Sequence, residues 1–447
     1  MSPLPRERVP DSTLALLADP YRWIARRAKA HGTTTFSARL LGEETLLVTG
    51  PEAAARFYGG GLTRQGAPPA PILKVLQDEG SVTTLDGGRH RIRKALFVSL
   101  MTPERLAEAC RLFEAELGAA LGRWVLAGDV VFDDAIAEVI TRSTCAWAGV
   151  PLAAAEAPRR SSDFQAMFDG AGSAGPRYVR AAIARARTER WMRGIVRGAR
   201  SGAVLPAPGT ALHAIATHEG RTGETLDDET VMTELVNVIR PTVAVGRFLT
   251  FAAMSLHAHP ERLAELAEAP SASPADPAAD GPERAVDDPD DPVWRFVQEV
   301  RRTAPFFPLV AGRAIDDLDW NGERLPAGRR VVLDLYGTNH DPSAWASPDT
   351  FDPARFAGWT GDPYRLIPQG AGGHATDHRC PGEWLTIALM RAGVTALAQR
   401  VTYEVPPQDL RVSLRRIPAR PASGLVLRGF RQRARTAASP SDARAVA

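Results

Sequence analysis

Apolar residues recur every three or four positions over much of this 447-residue chain, and this spacing predicts a mainly helical protein. The predicted helices are 11–30, 51–58, 89–101, 103–126, 132–148, 154–168, 176–201 and 227–256. Alternating apolar residues at 33–41 and 44–49, on either side of Gly42, predict a β-hairpin. We therefore expect a mainly α fold with a small β region.

Two segments depart from this pattern. Residues 271–292 are rich in Pro, Ala, Asp and Ser and have almost no large apolar side chain, which is typical of a flexible insert. Residues 431–447 have a similar composition and are expected to form a disordered tail. The remainder, 1–430, is expected to form a single catalytic domain.

Composition narrows the class of protein. The chain is 44% hydrophobic and 24% charged, as in an ordinary soluble globular protein, and its net charge of +2 argues against a nucleic-acid partner. Three cysteines argue against a disulfide framework and for a reducing compartment. The first thirty residues contain no long apolar run and no signal peptide. We expect a soluble cytoplasmic protein without a membrane span.

The stretch IPQGAGGHATDHRCPGEWL, residues 367–385, surrounds Cys380 with the features that a thiolate ligand of haem iron requires. Glycines at 370, 372 and 373 allow tight turns close to a flat macrocycle, and Gly382 leaves room for a helix to begin. Backbone N–H groups at the start of that helix would stabilise a negative sulfur. The loop therefore predicts a haem-thiolate protein.

Other interpretations of this loop remain open. His374, His378 and Cys380 could contribute to a zinc site, although a fourth ligand is missing nearby. A buried structural cysteine is a second alternative, but it would not require the preceding glycines and arginine. That structural role is the preferred interpretation of Cys110 and Cys145, which lie in apolar helical stretches.

The loop resembles the haem-binding loop of the cytochromes P450. Pro368-Gln369-Gly370 and the longer insertion before Arg379-Cys380-Pro381-Gly382-Glu383 are similar to one subgroup, the bacterial fatty-acid peroxygenases. The resemblance implies a P450 fold with haem b between a long central helix and the cysteine loop. It implies that Cys380 binds the iron and that Gln369 and Arg379 lie at the haem, with Arg379 near a propionate.

Further residues match the same family. His90 with Lys94 one turn later resembles the family's propionate contact, although a solvated helix face remains an alternative. Glu299 and Arg302 match the Glu-x-x-Arg pair, and Arg355 in Phe-Asp-Pro-Ala-Arg-Phe matches its partner. These three residues are expected to be structural.

Arg240-Pro241 interrupts the predicted helix 227–256. A proline inside a helix removes one hydrogen bond, here to the carbonyl of Asn237, and costs about 3 kcal/mol, which favours a functional reason for it. Arg240 lies among small and apolar residues, where a guanidinium requires an anionic partner. The alternative is an arginine whose stem packs while its head reaches water or a propionate.

The fatty-acid peroxygenases have the same Arg-Pro pair. The resemblance implies that Arg240 and Pro241 are catalytic and that Arg240, Asn237 and Thr83 bind the substrate. Arg240 would hold the carboxylate of a long-chain fatty acid, and this carboxylate would act as the acid-base group in a reaction driven by hydrogen peroxide. Hydroxylation at Cα or Cβ, or decarboxylation, would follow without an obligatory redox partner. Thr83 stands where the family has Gln or His, which leaves the balance of products open.

Two other functions remain possible at this point. One is a P450 monooxygenase that depends on a redox partner, with Thr242 as the distal hydroxyl. The other is a non-enzymatic haem sensor or carrier.

Overall fold

Helices form most of the fold, as the apolar spacing predicted. The structure is a computed structural model that describes residues 4–219, 225–270 and 273–433. Within these residues the helices are α1 (Thr13–Ala18), α2 (Trp23–His31), α3 (Pro51–Tyr58), α4 (Ala70–Leu76), α5 (Gly87–Val98), α6 (Pro103–Leu126), α7 (Phe132–Ala148), α8 (Ala157–Gly170), α9 (Pro176–Arg200), α10 (Ala211–Ala216), α11 (Asp228–Val243), α12 (Val245–Ala258), α13 (Pro260–Glu268), α14 (Pro282–Val286), α15 (Pro292–Thr303), α16 (Leu335–Asn339) and α17 (Glu383–Thr395). A 3-10 turn spans Pro353–Phe356, and a π turn spans Ala396–Arg400.

The strands form three small sheets. They are β1 (Thr35–Leu40), β2 (Glu43–Thr49), β3 (Leu62–Thr63), β4 (Asp129–Val131), β5 (Leu309–Ala314), β6 (Leu318–Trp320), β7 (Glu323–Leu325), β8 (Arg330–Asp334), β9 (Val401–Glu404) and β10 (Val426–Gln432). The largest sheet has the order β1-β2-β8-β5-β3, in which only β2 and β8 are parallel. The predicted hairpin is β1–β2 and is confirmed.

One predicted helix near the N-terminus is two helices. The apolar spacing predicted a single helix over 11–30, but α1 ends at Ala18 and α2 begins at Trp23. Pro20 explains the break, because a residue before proline is excluded from the helical region. Asp19 accordingly has φ −150° and ψ 66°.

The central helix is also divided. It was predicted as one helix over 227–256, but α11 ends at Val243 and α12 starts after Ala244. Pro241 lies inside the last turn of α11 and has no N–H to donate, which weakens the helix at this point. The predicted start is confirmed, since the side chain of Asp227 caps the helix by accepting a hydrogen bond from the Thr230 N–H at 2.7 Å.

The main hydrophobic core joins α6, α7, α11, α12 and α17. The last two helices pack closely, because a Cβ on Gly393 would lie 3.0 Å from Cδ1 of Leu249. Residues 228–258 are apolar enough and long enough to span a membrane, but 94% of their most apolar window is buried inside the protein. Burial on all sides identifies α11 and α12 as core helices.

The region predicted to be a flexible insert contains α14 and contacts the core. Arg391 on α17 donates hydrogen bonds to the Val286 carbonyl at 3.0 Å and to Asp291 at 2.8 Å. Flexibility of residues 271–292 and a single domain over 1–430 stay predictions. Of the predicted tail, 431–447, the residues after 433 lie outside the described part of the chain, and Arg431 and Gln432 belong to β10.

Candidate active site

The loop before α17 adopts a conformation that depends on glycine. Gly370 has φ +92°, and a Cβ there would lie 2.9 Å from the Tyr58 hydroxyl and 3.3 Å from the His378 carbonyl. The loop is closed by the Cys380 N–H, which donates to the carbonyl of Gln369 at 3.0 Å. The cysteine is thereby presented at the end of a tight turn, as the sequence predicted.

The Gly382 N–H and the side chain of Gln369 lie near the Cys380 sulfur and favour its charged form. α17 begins three residues after the cysteine, so the positive end of its dipole also faces this loop. Burial nevertheless raises the pKa of the Cys380 thiol, with the Gly382 N–H and the Gln369 side chain opposing the shift. A bound metal ion would stabilise the thiolate and lower this pKa.

Gln369 is held by its own partners. Its side-chain oxygen accepts from Nη2 of Arg301 at 3.1 Å, and its Nε2 donates to the Thr386 hydroxyl at 3.0 Å. Because Arg301 donates to the oxygen, the amide nitrogen faces the Thr386 hydroxyl. Gln369 is thus fixed in the turn that precedes Cys380, and its predicted contact with haem stays a prediction.

Glu383 is the common partner of several basic side chains near the loop. It accepts from Nε of Arg379 at 2.6 Å, pairs with Arg301 and lies 3.0 Å from Nε2 of His374. Burial alone would raise the pKa of Glu383, but Arg379 and Arg301 hold it well below its usual range. The guanidinium of Arg379, predicted to reach a propionate, has a carboxylate partner inside the chain.

Three buried cationic or titratable side chains lie on the other side of the loop. Lys94, whose side chain is 1% exposed, donates to the carbonyls of Asp377, at 2.9 Å, and of Arg379. His90 stacks on His378 with ring centroids 3.9 Å apart. Arg64 is buried over Phe57 and donates to the Ala311 carbonyl at 2.8 Å.

Lys94 and Arg64 form a positive site, with Asp86 at its edge accepting from the Arg64 N–H at 3.0 Å and lying 3.5 Å from Nε2 of His378. Burial lowers the pKa of Lys94 to about 8 and, together with Lys94, lowers that of His90 to about 4. Burial, then Arg64, His90 and Lys94, lower the pKa of His378 to about 2. In the described ranges no carboxylate forms an ion pair with Lys94 or Arg64.

The zinc alternative has no supporting geometry. His374 stacks on Trp384 and contacts Glu383, whereas His378 stacks on His90. Across the described residues, no group of three His, Cys, Asp or Glu side chains is arranged to hold a metal ion. Cys110 and Cys145 are buried and free, and burial raises the pKa of each to about 12, as expected for structural cysteines.

The predicted structural triad is present. Arg302 makes two hydrogen bonds of 2.7 Å to the Glu299 carboxylate, and Nε of Arg355 donates to the same carboxylate at 3.2 Å. Arg302 also donates to the carbonyls of Asn339 and Pro348, at 2.9 and 2.8 Å. The triad therefore connects α15 to the chain that leads into the cysteine loop.

Arg240 and Pro241 mark the second half of the site. Every residue from Val231 to Ala253 is buried except Pro241, which is exposed. An exposed side chain within an otherwise buried helix lines an opening in the core. Arg240 precedes it and is itself only 6% exposed.

The guanidinium of Arg240 has only neutral acceptors. It donates to the Leu76 carbonyl through Nη1 and lies 3.4 Å from the Asn237 side-chain oxygen through Nη2. Burial, followed by repulsion from Arg185, lowers the pKa of Arg240 to about 9. No carboxylate of the residues that the structure describes pairs with it, whereas Arg185 pairs with Asp78 and Glu189.

Thr83 and Thr242 have different surroundings. Thr83 is partly exposed in the turn before α5, and its hydroxyl lies 3.0 Å from that of Ser81. The Thr242 hydroxyl donates to the Val238 carbonyl at 2.8 Å, and its side chain lines a cavity of about 10 Å³ together with Trp147 and Leu385. Thr242 thus packs between helices instead of presenting a free hydroxyl.

Comparison with known proteins agrees with these features. The cytochrome P450 family model matches residues 293–425, from α15 to the start of the last sheet. Ferruginol synthase from Salvia miltiorrhiza is 31% identical over 134 residues, which is 28% of this chain and 26% of that protein. Cytochrome P450 84A4 from Arabidopsis thaliana is 29% identical over 116 residues, 25% of this chain and 22% of its own. The chain thus spans about a quarter of the length of these plant relatives.

Three solved structures match nearly the whole chain. Cytochrome P450SP alpha (CYP152B1) in complex with (R)-ibuprophen has a TM-score of 0.88 and 43% identity, covering 95% of this chain and 99% of that one. Cytochrome P450EX alpha (CYP152N1) with myristic acid has a TM-score of 0.89 and 37% identity, and the match covers 97% of this chain and 100% of that one. A variant of cytochrome P450 OleT in complex with arachidonic acid has a TM-score of 0.89 and 33% identity, and the match covers 97% of this chain and 99% of that one.

The chain therefore belongs to the cytochrome P450 family, whose members bind haem iron through a cysteine thiolate, and within it to the CYP152 group. This confirms the resemblance drawn from the cysteine loop. The described residues fit haem, because the Cys380 sulfur lies near Lys94, and the side chains of Lys94 and Arg64 are buried cations with no salt-bridge partner among these residues.

Sequence reasoning missed several side chains of the site. Arg64 stands alone in a loop, with no spacing that would indicate its role. Arg301 lies inside Glu-Val-Arg-Arg, where its neighbour was recognised instead. Glu234 gave a usable signal, since it is a lone acid between Val231 and Val238 in an apolar helix. Such a group is retained only with buried partners.

Proposed function

We propose that the protein is a peroxygenase that uses hydrogen peroxide to hydroxylate long-chain fatty acids at Cα or Cβ, with decarboxylation as a competing outcome. The observation that carries this proposal is Arg240, a buried cation beside an opening in the core with no carboxylate partner in the described residues. A ligand carboxylate would supply two charge-assisted hydrogen bonds to the planar guanidinium.

The solved relatives support the same class of substrate. One holds myristic acid and another holds arachidonic acid, both of which are long-chain carboxylic acids. A long apolar chain with a single anionic head matches a site in which one cation lies among apolar helices. Neutral lipids would leave the buried charge of Arg240 without a partner.

The positive site around Lys94, His90 and Arg64 would hold the propionates of haem b, and Cys380 would bind its iron. The side chain of Gln369 and the Gly382 N–H, which lie near the sulfur, would limit its negative charge. The chemistry that a bound haem supplies is cleavage of the peroxide O–O bond and oxidation of the neighbouring C–H bond.

Arg240 would do two things in this reaction. It would anchor the head of the fatty acid, so that Cα and Cβ are the carbons nearest the oxidising centre. It would also hold the carboxylate where it can carry a proton between the two peroxide oxygens, a role for which residues 235–247 offer no Asp or Glu. Pro241 would keep the helix surface open beside that carboxylate.

The products follow from a balanced reaction. One fatty acid and one hydrogen peroxide give one hydroxy acid and one water, as a C–H bond becomes C–OH and the peroxide is reduced. In decarboxylation, one fatty acid and one hydrogen peroxide give a terminal alkene, carbon dioxide and two waters. Peroxide supplies both the oxygen and the oxidising equivalents, so no redox partner is required. We further propose that the enzyme is soluble and cytoplasmic.

The test is turnover by the purified holoenzyme. The protein is incubated with hydrogen peroxide and saturated fatty acids of several chain lengths, and products are identified by mass spectrometry. We expect 2- or 3-hydroxy acids, and we expect methyl esters of the same chain length to be poor substrates. Equal rates for an acid and its ester would overturn the role of Arg240.

A parallel reaction separates the alternatives. It contains NADPH, a generic ferredoxin and ferredoxin reductase, and catalase in place of peroxide. Turnover only under these conditions would identify a redox-partner-dependent monooxygenase. Absence of product in both reactions, with fatty acid bound, would identify a haem sensor or carrier.

A further inference from the structure

Glu234 is a completely buried carboxylate on the central helix, two turns before Arg240. It accepts a hydrogen bond from the Val82 N–H at 2.9 Å and another from Nη1 of Arg93 at 2.6 Å, both at Oε1. Its Oε2 accepts from Nδ2 of Asn237 at 3.3 Å. The single carboxylate therefore joins α11 to α5 and to the turn that carries Thr83.

The contacts of Asn237 fix the direction of its amide. Nδ2 donates both to Glu234 and to the Gln77 carbonyl, at 3.2 Å. A carboxylate and a carbonyl can only accept hydrogen bonds, so the amide nitrogen must face them. The amide oxygen must then face Nη2 of Arg240, 3.4 Å away.

Charge in this network is balanced without Arg240. The Glu234 carboxylate pairs with Arg93, whose side chain is 13% exposed, and not with the guanidinium six residues later. Glu234 thus influences Arg240 only through a neutral amide. This arrangement positions the arginine while leaving its charge available to a ligand.

We propose that Glu234 is a positioning residue that sets Arg240 and Thr83 relative to each other, and so decides whether oxidation falls on Cα or on Cβ. One arm of the network runs through Asn237 to the group that anchors the substrate head. The other runs through the Val82 N–H to the turn of Thr83. The proposal rests on the proposed function, because it concerns the same fatty-acid site.

Glu234→Gln tests the proposal with a side chain of the same shape. The new amide must turn its oxygen toward Val82 and Arg93, which donate, so its nitrogen faces the Asn237 nitrogen. Asn237 then has to rotate, and its own nitrogen is directed at Arg240. The Asn237 nitrogen and the Arg240 guanidinium are then both donors, so they repel each other and the guanidinium is displaced from its position.

We expect Glu234→Gln to change the ratio of 2-hydroxy to 3-hydroxy acid by about threefold or more and to raise the spectrally measured Kd for myristic acid by about tenfold. The matched control is Glu229→Gln on the same helix, whose side chain is 63% exposed and pairs with Arg193. Both variants are compared at equal haem content, as holoenzymes with the same carbon-monoxide spectrum as the wild type.

A double variant tests whether the effect passes through Asn237. Asn237→Leu should shift the ratio and Kd in the same direction, and Glu234→Gln combined with Asn237→Leu should resemble Asn237→Leu alone. Additive effects, or an unchanged ratio and Kd in Glu234→Gln, would overturn the proposal. If Glu234→Gln does not bind haem, the Asn237→Leu variant alone tests the proposal. A product ratio and a Kd equal to those of the wild type in Asn237→Leu would then overturn it.

Failure of the proposed peroxygenase function would give a different result from failure of the positioning role of Glu234. A wild type that binds myristic acid but is not driven by peroxide would remove the peroxygenase assignment. The Kd comparison between Glu234→Gln and Glu229→Gln would still decide the positioning role.

Discussion

The backbone carbonyl of Gln369 accepts the N–H of Cys380 at 3.0 Å, and the Gln369 side chain lies near enough to the sulfur to oppose the rise in the pKa of the thiol. Arg301 donates to the side-chain oxygen of Gln369 at 3.1 Å, and the amide nitrogen donates to the Thr386 hydroxyl at 3.0 Å. Gln369 thus fixes the turn and lies where its amide dipole would withdraw electron density from the sulfur.

Gln369→Leu should make the haem harder to reduce. Without the side-chain donor, more negative charge stays on the sulfur and the ferric state is favoured, by roughly 1 kcal/mol or about 40 mV for one electron. A spectroelectrochemical titration measures this shift to a more negative potential. Gln298→Leu is the control, because Gln298 contacts Arg301 but not the sulfur. Equal shifts in both variants would show that Arg301, and not the amide of Gln369, sets the potential.

Cys380→Ala should remove the thiolate signature. The reduced, carbon-monoxide-bound wild type is expected to show the red-shifted Soret band of a thiolate-ligated haem, and the variant should lose it. Cys110→Ala should keep the band, since Cys110 is buried within α6. A red-shifted band that persists in Cys380→Ala would contradict the ligand assignment.

Arg240→Ala should weaken fatty-acid binding and slow turnover further. A charge-assisted pair contributes roughly 1.5 to 3 kcal/mol, so Kd should rise by about tenfold or more. Peroxide-driven turnover should fall by a larger factor, because the carboxylate that carries the proton is no longer held in place. Binding is followed by spectral titration and turnover by product analysis at saturating acid.

Arg185→Lys is the control for Arg240→Ala. Arg185 donates to the same Leu76 carbonyl, at 3.4 Å, but its charge is paired with Asp78 and Glu189. The conservative variant should retain fatty-acid binding. Equal losses in the two variants would mean that the fold around Leu76, and not the anchoring of a carboxylate, explains the effect.

The sequence predicted the parts of the molecule that depend on local patterns. The bounds of α6 and α7 agree with the prediction because proline at 103 and a left-handed Gly149 mark a start and an end. The cysteine loop was recognised from its glycines. The break at Ala244 was not, although Pro241 lies just before it, and neither was the network of Glu234, which depends on how distant segments meet around the central helix.

The division of roles among cations also required the structure. Arg379, Lys94 and Arg64 are all basic residues, and only their partners separate them. Arg379 pairs with Glu383, whereas the side chains of Lys94 and Arg64 contact carbonyls and rings and form no salt bridge among the described residues. Spacing along the chain does not show which charge has a partner.

Asp334→Asn should stabilise the protein at neutral pH. Asp334 ends β8 and caps α16 by accepting from the Gly337 N–H at 2.7 Å, and burial raises its pKa to about 7. A folded-state pKa above the unfolded value of 3.8 means that the folded protein binds the extra proton. Its stability therefore falls as pH rises from about 4 to about 7, by a few kcal/mol at most.

Asparagine can still cap α16 but carries no charge, so this part of the pH dependence should disappear. Melting temperatures of the holoenzymes at several pH values measure the difference. Asp227→Asn is the control, and its effect on the pH dependence should have the opposite sign, because the Thr230 backbone hydrogen bond lowers the pKa of this exposed cap. A wild-type pH profile in Asp334→Asn would contradict the assignment.

Thr83→His should change the product distribution. Thr83 is partly exposed in the turn anchored by Glu234, where the fatty-acid peroxygenases that the sequence resembles have Gln or His. The Thr83 hydroxyl of the wild type forms a hydrogen bond with the Ser81 hydroxyl at 3.0 Å, so it is a weak contact for a substrate head group. We expect mainly hydroxy acids from the wild type and a higher ratio of alkene to hydroxy acid from Thr83→His, because a longer side chain that donates and accepts protons can reach the intermediate at Cβ.

Gas chromatography of the alkene and hydroxy-acid fractions gives the ratio, and Thr83→Val, which removes the hydroxyl at constant size, is the control. An unchanged ratio in Thr83→His, with normal myristic-acid binding and an unaltered thiolate spectrum, would assign product choice to the shape of the alkyl channel instead.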